Sequence, residues 1–206
     1  MANKAGPVIA VVAGLAGLGV LLGVAGLAMA STGPPAAPVP PAPEGSLSGL
    51  FVHRYGIPAP LATAVIATAR RLGTDPRWLA ALIDLETAGK WKASTKNPTS
   101  SATGLIQITD KSAAWLGTTT AALASMTEIA YLEVAEKYLR DTAAGLHYDD
   151  PRPMPLDTIK RLSFSVFWPP ARDWPADRVL PDWIQAGNPH IVTVGDYVQA
   201  VKARIA

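Results

Sequence analysis

From residue 50 onward, apolar residues in this 206-residue chain recur at intervals of three and four, the spacing of one helix face. No segment alternates convincingly between apolar and polar residues, as a half-buried β-strand does. Two candidate capping boxes, Ser125 with Glu128 and Thr193 with Asp196, mark helix starts. The apolar positions of three candidate helices are Leu61, Val65, Ile66 and Leu72; Leu156, Ile159, Leu162 and Val166; and Val194, Val198, Val201 and Ile205. The pattern predicts an all-α domain.

The N-terminal region contains a long apolar stretch. Residues 8–30, 23 in a row, carry no charge, and a transmembrane helix needs about 20 such residues. Residues 1–30 therefore predict a membrane anchor that contacts the lipid bilayer through residues 8–30. Because Lys4 precedes the stretch, we expect the remainder of the chain outside the cytoplasm. Ala28-Met-Ala30 offers an alternative, a cleaved signal peptide, whose apolar core is usually only about 7–15 residues long.

A proline-rich segment separates this stretch from the rest. Residues 31–49 contain six prolines between Pro34 and Pro43 and almost no residue that could form a core. Such composition is typical of an extended polyproline II spacer. Residues 50–206 remain as one domain of ordinary size.

Composition excludes several function classes. The chain has no cysteine, and its three histidines, His53, His147 and His190, lack ligand-like spacing, so we expect neither a metal nor another cofactor. No phosphate-binding glycine loop is present. A net charge of +2 does not indicate a nucleic-acid partner.

Glu86 is the most informative candidate catalytic residue. The segment 75–86 predicts a helix with Asp75 as its N-cap and Pro76 in its first turn. Glu86 shares one face with the residues three, four and seven positions before it, Ile83, Leu82 and Leu79. Burial there would raise the pKa of its carboxyl, as a general acid requires. The alternative is that Glu86 bends into water at the helix end, and Asp84, off this face, is expected to be a solvated charge.

A second motif follows at residues 100–108, Ser-Ser-Ala-Thr-Gly-Leu-Ile-Gln-Ile. Together with Glu86 it resembles the lytic transglycosylase family, the lysozyme-like enzymes that cleave peptidoglycan. That family carries Glu-Ser-Gly-Gly at a helix end and Ser-Gly-Ala-x-Gly-Leu-Met-Gln-Ile about fifteen to twenty residues later. Glu86 matches the catalytic glutamate, and Ser100, Gly104 and Gln107 match the second motif. The resemblance covers residues 58–140 well.

The resemblance implies a chemistry with one carboxylate. Glu86 would protonate the oxygen between N-acetylmuramic acid and N-acetylglucosamine, then take the proton of the muramoyl C6 hydroxyl, leaving a 1,6-anhydro end. Gln107 would bond substrate or hold the loop, and Ser100 or Thr103 would bond to Glu86. The implied partner is the peptidoglycan glycan strand, and the implied location is the cell envelope outside the cytoplasmic membrane.

One family feature is missing, and its absence bears on origin. Relatives usually have Ala-Tyr-Asn-Ala-Gly on a later helix, with the tyrosine hydroxyl near the catalytic carboxyl. The expected counterpart here is the segment Leu162 to Trp168, which supplies no phenol. Phage-related members resemble this chain in carrying an aromatic-Pro step and a later Asn-Pro and Thr-Val-x-Asp-Tyr stretch. That resemblance implies a virion membrane as a second location, with virion or envelope proteins as further partners.

The segment from Pro169 to Val192 is expected to be a long irregular loop that forms one wall of the glycan groove. Trp168 begins this wall, and Trp174 and Trp183 offer flat faces on which sugar rings stack. Trp168 and Trp174 are therefore predicted substrate-binding residues, and the resemblance adds Ser100, Thr103 and Gln107 to them.

Two other functions stay open at this point. A hydrolytic muramidase would use the same fold with a second carboxylate that activates water, for which Asp110, Asp149 and Asp150 are candidates. The other is a membrane-tethered virion or envelope component that only binds glycan or a partner.

Overall fold

The structure is a computed structural model that describes residues 46–146 and 153–205. The predicted anchor or signal peptide and the linker as far as residue 45 lie outside the described residues. Within those two ranges, no helix is long and apolar enough to cross a membrane.

The described part of the chain is helical, which confirms the predicted all-α class. It contains no strand, only isolated bridges such as that between Thr103 and Ile108. The helices are α1 (Leu47–Tyr55), α2 (Ala59–Arg71), α3 (Pro76–Glu86), α4 (Asp110–Trp115), α5 (Thr120–Ala124), α6 (Glu128–Ala143), α7 (Ile159–Phe167), α8 (Asp182–Gly187) and α9 (Val194–Lys202).

The first helix begins inside the range assigned to the linker. Ser46 caps α1 because its side chain accepts a hydrogen bond from the Gly49 N–H, at 2.9 Å. Phe51 on α1 is fully buried, so this helix contributes to the core. Helix α1 therefore includes residues 47–49, which were expected to belong to the linker.

Two of the three predicted caps are present as expected. Asp75 accepts from the N–H of Arg77 at the start of α3, and Thr193 with Asp196 forms the predicted capping box of α9. The predicted box of Ser125 with Glu128 is wrong, because the N-cap of α6 is Thr127. Ser125 instead ends α5, which leaves Thr127 as the first residue free to cap.

Helix α3 lies at the centre of the packing, in contact with α2, α7 and α9. Seven of its eleven residues are buried, so it exposes little of its circumference. A helix that is apolar on nearly all sides belongs in a core. This placement carries the polar side chains of its last turn into the interior.

The region from Pro169 to Val192 is less irregular than expected. It contains a short 3₁₀ helix, Pro169–Ala171, and helix α8. The N–H of Leu180 donates to the carbonyl of Val192 at 2.8 Å, which ties the two ends of the α8 segment together. Pro169 is the first residue of the 3₁₀ helix, where its fixed φ is favourable, and Pro181 is the N-cap of α8.

Candidate active site

Glu86 is the last residue of α3 and has 0% of its surface exposed. Leu79, Leu82 and Ile83, which share its face, are buried with it. The alternative that Glu86 bends into water is therefore wrong. Burial raises the pKa of its carboxyl from 4.5 to about 7, and the hydrogen bond from Tyr197 offsets part of that rise.

Tyr197 is the hydrogen-bond partner of Glu86. Its hydroxyl donates to Oε1 of Glu86, while Oε2 has no partner in the described structure. The Tyr197 ring stacks on Phe167 with centroids 4.2 Å apart and meets Phe164 edge-on at 5.5 Å. Burial and the nearby Glu86 carboxylate raise the pKa of Tyr197 well above its ordinary value, so the phenol stays protonated and remains a donor.

The phenol beside Glu86 comes from a residue that the sequence analysis did not propose. The segment from Leu162 to Trp168, the expected counterpart, provides the aromatic packing through Phe164 and Phe167 but not the hydroxyl. The hydroxyl comes from α9. Its signal in the sequence is the capping box at Thr193, because a helix that starts there places Tyr197 on one face with Val194, Val198 and Val201.

Gly104 in the second motif permits a close approach of Tyr131 from α6. A Cβ atom at Gly104 would lie 2.0 Å from Cε2 of Tyr131, and the φ of Gly104 is +86°. The Tyr131 hydroxyl donates to the carbonyl of Thr103 at 2.7 Å. Burial raises the pKa of Tyr131, and the charge of Glu86 adds to the rise. The packing of Tyr131, beside the candidate acid, therefore requires a glycine at position 104.

Gln107 holds the loop of the second motif. Its Nε2 donates to the carbonyls of Gly104 at 2.8 Å and Thr95 at 3.3 Å. Its Oε1 is buried and has no partner within the described residues. The resemblance implies that Gln107 bonds substrate or holds the loop. These two bonds hold the loop, and Oε1 is left as an acceptor.

Ser100 and Thr103 do not bond to Glu86, contrary to expectation. The Ser100 hydroxyl accepts from the N–H of Ala102 at 3.2 Å, and the Thr103 hydroxyl donates to the carbonyl of Ser101 at 3.0 Å. Such short polar side chains satisfy neighbouring backbone groups first. Their predicted contacts with substrate stay predictions.

Backbone strain is concentrated around this site. Among the described residues other than glycine, three have a positive φ: Ala88 at +50°, Trp91 at +53° and Gln107 at +51°. Ala88 and Trp91 lie in the loop that follows Glu86, and Gln107 lies in the second motif. Strained positions of this kind cluster at functional sites.

Asp84 is buried, so the expectation of a solvated charge is wrong. Its Oδ1 accepts from Nε1 of Trp91 at 2.8 Å, and its Oδ2 accepts from Nη1 of Arg204 at 2.9 Å. The physical reason is the central position of α3, because both of its faces meet other elements. Trp91 is itself buried, so it offers no open face for sugar stacking.

The predicted groove tryptophans form a cluster of their own. The Trp168 ring meets Trp174 edge-on at 5.1 Å and Trp183 at 5.6 Å. Trp174 also packs under the guanidinium of Arg178 at 4.7 Å. Trp168 directly follows Phe167, the ring stacked on Tyr197. The cluster is therefore joined in sequence to the site, and its contact with glycan stays a prediction.

The other candidate carboxylates differ in their surroundings. Asp110 accepts a hydrogen bond from the Thr120 hydroxyl at 2.6 Å. Asp149 and Asp150 lie outside the described residues. In the part of the chain that the structure describes, no group of three or more acidic or histidine side chains could hold a metal ion.

A scan against protein-family models, a search of curated proteins and a search of solved structures each found no match to this chain.

Proposed function

We propose that this domain cleaves the β-1,4 bond between N-acetylmuramic acid and N-acetylglucosamine in peptidoglycan, with Glu86 as its single acid and base. The observation that carries the proposal is a fully buried carboxyl whose pKa is raised to about 7. Such a group holds its proton near neutral pH and releases it readily, which general acid catalysis requires.

The two oxygens of Glu86 suit different tasks. Oε1 accepts the Tyr197 hydrogen bond, whereas Oε2 has no partner in the described structure. Oε2 is therefore the oxygen that carries the proton to the glycosidic oxygen. The Tyr197 phenol stabilises the carboxylate that this transfer leaves, because hydrogen bonds to charged groups are stronger than those to neutral groups.

The proposed reaction consumes no water. Proton transfer from Oε2 accompanies cleavage of the bond between C1 of the muramoyl residue and the leaving oxygen, and an oxocarbenium-like state develops at C1. The carboxylate then removes the proton of the C6 hydroxyl while O6 bonds to C1, which closes the 1,6-anhydro ring and restores the acid. One carboxyl completes the cycle, unlike the paired carboxyls of glycoside hydrolases.

Complete burial of Glu86 favours a second candidate function. With 0% of its surface exposed, the carboxyl meets a glycan only after neighbouring side chains move aside. A domain in which these side chains stay in place would bind glycan or an envelope protein without cleaving it. Under either function, we propose an envelope location outside the cytoplasm, in a cell or in a virion membrane, with residues 8–30 in the bilayer.

Mass analysis of digested peptidoglycan separates these functions. The full-length chain should release muropeptides with 1,6-anhydro ends, whereas a hydrolase releases reducing ends, which are heavier by one water. Glu86→Gln should lower turnover by about 10²–10⁴-fold or more, because the amide donates no such proton.

Asp110→Asn tests the hydrolytic alternative, since Asp110 is the candidate second carboxylate that the structure describes. Under the proposed cycle with one carboxyl, it should leave turnover unchanged, because in the described structure its side chain only accepts a hydrogen bond from the Thr120 hydroxyl. Glycan binding without any released product would establish the non-catalytic function instead.

A further inference from the structure

Asp84 belongs to a closed ring of contacts on the side of α3 away from Glu86. Its carboxylate accepts from Trp91 at 2.8 Å and from Arg204 at 2.9 Å. The Tyr55 ring packs against Trp91 with centroids 5.1 Å apart, and the Tyr55 hydroxyl donates to the carbonyl of Arg204 at 2.8 Å. We call these four residues the Asp84 ring. It joins α1, the end of α3 and the C-terminal segment.

The loop that leaves α3 depends on this ring. Trp91 is held twice, by its Nε1 bond to Asp84 and by its N–H bond to the Thr87 hydroxyl at 3.2 Å. Ala88 and Trp91 both have a positive φ, which residues other than glycine adopt only when their surroundings impose it. The N–H of Gly89 also returns to the carbonyl of Asp84, at 2.8 Å. Residues 87–91 therefore form a strained turn anchored on Asp84.

We propose that Asp84 is a positioning residue for Glu86: it holds the turn 87–91 in its strained form and so fixes the last turn of α3. The part that concerns catalysis rests on the proposed function. With the turn in place, the Glu86 carboxyl stays beside Tyr197 and near Tyr131. Without it, the turn relaxes and the last turn of α3 opens toward water, since helix ends with unsatisfied backbone groups fray readily.

The C-terminal segment serves both carboxylates. Tyr197 on α9 bonds to Glu86, and Arg204, seven residues later and just beyond α9, bonds to Asp84. The segment from Tyr197 to Arg204 thus contacts the acid and its positioning residue together, which couples the placement of the two.

Two substitutions separate positioning from general support. Asp84→Asn keeps an oxygen that accepts from Trp91, while Asp84→Ala removes both acceptor atoms. The titration of Glu86 is followed by NMR of the full-length chain in detergent micelles, with ¹³C at the glutamate side-chain carboxyl. Tyr197 and Tyr131, the titratable groups that face Glu86 from α9 and α6, are unchanged in both variants.

We expect Asp84→Ala to move the Glu86 pKa from about 7 toward its ordinary value of 4.5, and Asp84→Asn to keep it near 7. The alanine variant should also lose about 10- to 100-fold in kcat with little change in KM, because a small misplacement of a catalytic group costs that much. Asp157→Ala, at the exposed ion pair with Arg161, is the control and should change neither quantity.

A folded Asp84→Ala protein with an unchanged Glu86 titration would overturn the proposal. If that variant does not fold, Trp91→Phe takes its place, because it keeps an aromatic side chain and removes the N–H that donates to Asp84. An unchanged Glu86 titration and an unchanged kcat in Trp91→Phe would overturn the proposal in the same way. The NMR titration needs no turnover. A wild-type protein that cleaves nothing would therefore refute the proposed function and leave the positioning role to be judged on the titration alone.

Discussion

Asp84 and Glu86 stand two residues apart on the last turn of α3, yet the two regions around them have opposite chemistry. Asp84 meets two N–H donors, one of them on a cationic guanidinium. Glu86 meets apolar side chains and one neutral phenol, and one of its oxygens has no partner in the described structure. Residues two apart point to opposite sides of a helix, so a single turn serves both regions.

The difference shows how surroundings assign tasks to chemically similar groups. Two N–H donors hold the Asp84 carboxylate in one position, which suits a fixed anchor. Desolvation without a countercharge disfavours the ionised form, which suits a proton donor. Two carboxyls in separated environments are a recurring way to divide roles within one enzyme.

The largest expected effect is a pH dependence of stability that belongs to Glu86 alone. Its pKa is about 7 in the folded chain and 4.5 in the reference state, so the folded chain binds more protons between these values. The free energy of unfolding should therefore fall as pH rises from about 4.5 to about 7, by about 3 kcal/mol. Chemical denaturation of the wild type and of Glu86→Gln across this range measures it.

The difference between the two proteins isolates this contribution, because other titrating groups, such as Glu136 and Asp196 with their lowered pKa values, are common to both. Parallel stability curves for the wild type and Glu86→Gln would mean that the pKa of Glu86 is the same in the folded and the unfolded chain. The contrast with Asp84 would then be lost.

Tyr197→Phe tests the one polar contact of Glu86. The phenyl ring keeps the packing on Phe167 and Phe164 but donates nothing to Oε1. The pKa of Glu86 should rise further, because the lost hydrogen bond lowers it in the wild type. Hydrogen bonds to charged groups are worth about 1.5–3 kcal/mol, so turnover should fall about 10- to 100-fold.

Tyr131→Phe is the matched control for this substitution, since its hydroxyl bonds to the Thr103 carbonyl rather than to a carboxylate. Tyr131→Phe should lower the free energy of unfolding and leave the pH profile of turnover unchanged. Equal profiles for Tyr197→Phe and the wild type would show that the phenol only packs.

Trp91→Phe probes the Asp84 region with a smaller effect. The Nε1 bond to Asp84 is lost while most of the ring contact with Tyr55 remains. A hydrogen bond to a charged group contributes about 1.5–3 kcal/mol, and Asp84 keeps its bond from Arg204 in this variant. The free energy of unfolding should therefore fall by about 1.5 kcal/mol, the lower end of that range. Denaturant titration checks this value, and combining the change with Asp84→Ala should give less than the sum of the two single effects, because both substitutions remove the bond between Trp91 and Asp84.

Local sequence signals predicted much of this arrangement. The spacing of Leu79, Leu82 and Ile83 placed Glu86 on a buried face, and Asp75 and Thr193 marked the starts of α3 and α9. These features depend on residues within one or two turns of each other. The predicted N-cap of α6, Ser125, lies two residues before the observed one, Thr127. Both residue types can cap a helix, and only the position where α5 ends decides between them.

Contacts between distant segments were not predicted. Tyr197 lies 111 residues from Glu86 and Arg204 lies 120 from Asp84, so no local pattern pairs them. A usable signal was nevertheless present for Tyr197: a hydroxyl on the buried face of α9 requires a polar partner inside the core. For Asp84, the signal was the unbroken apolar run before it, which indicates a helix buried on both sides.

The smallest expected effect concerns Arg204, and it separates the two bonds that Asp84 accepts. The Arg204 side chain is 42% exposed, whereas that of Asp84 is 13% exposed, so solvent screens this ion pair more than the buried Trp91 bond. Arg204→Gln should therefore lower the free energy of unfolding by only about 0.5–1 kcal/mol, and the loss should shrink in high salt. The loss from Trp91→Phe should not depend on salt, because that bond joins no pair of opposite charges. Denaturant titrations of both variants at low and high ionic strength, with Arg161→Gln at the surface pair with Asp157 as the control, measure the difference. A salt-independent loss of several kcal/mol for Arg204→Gln would show that the guanidinium, rather than the indole, anchors Asp84.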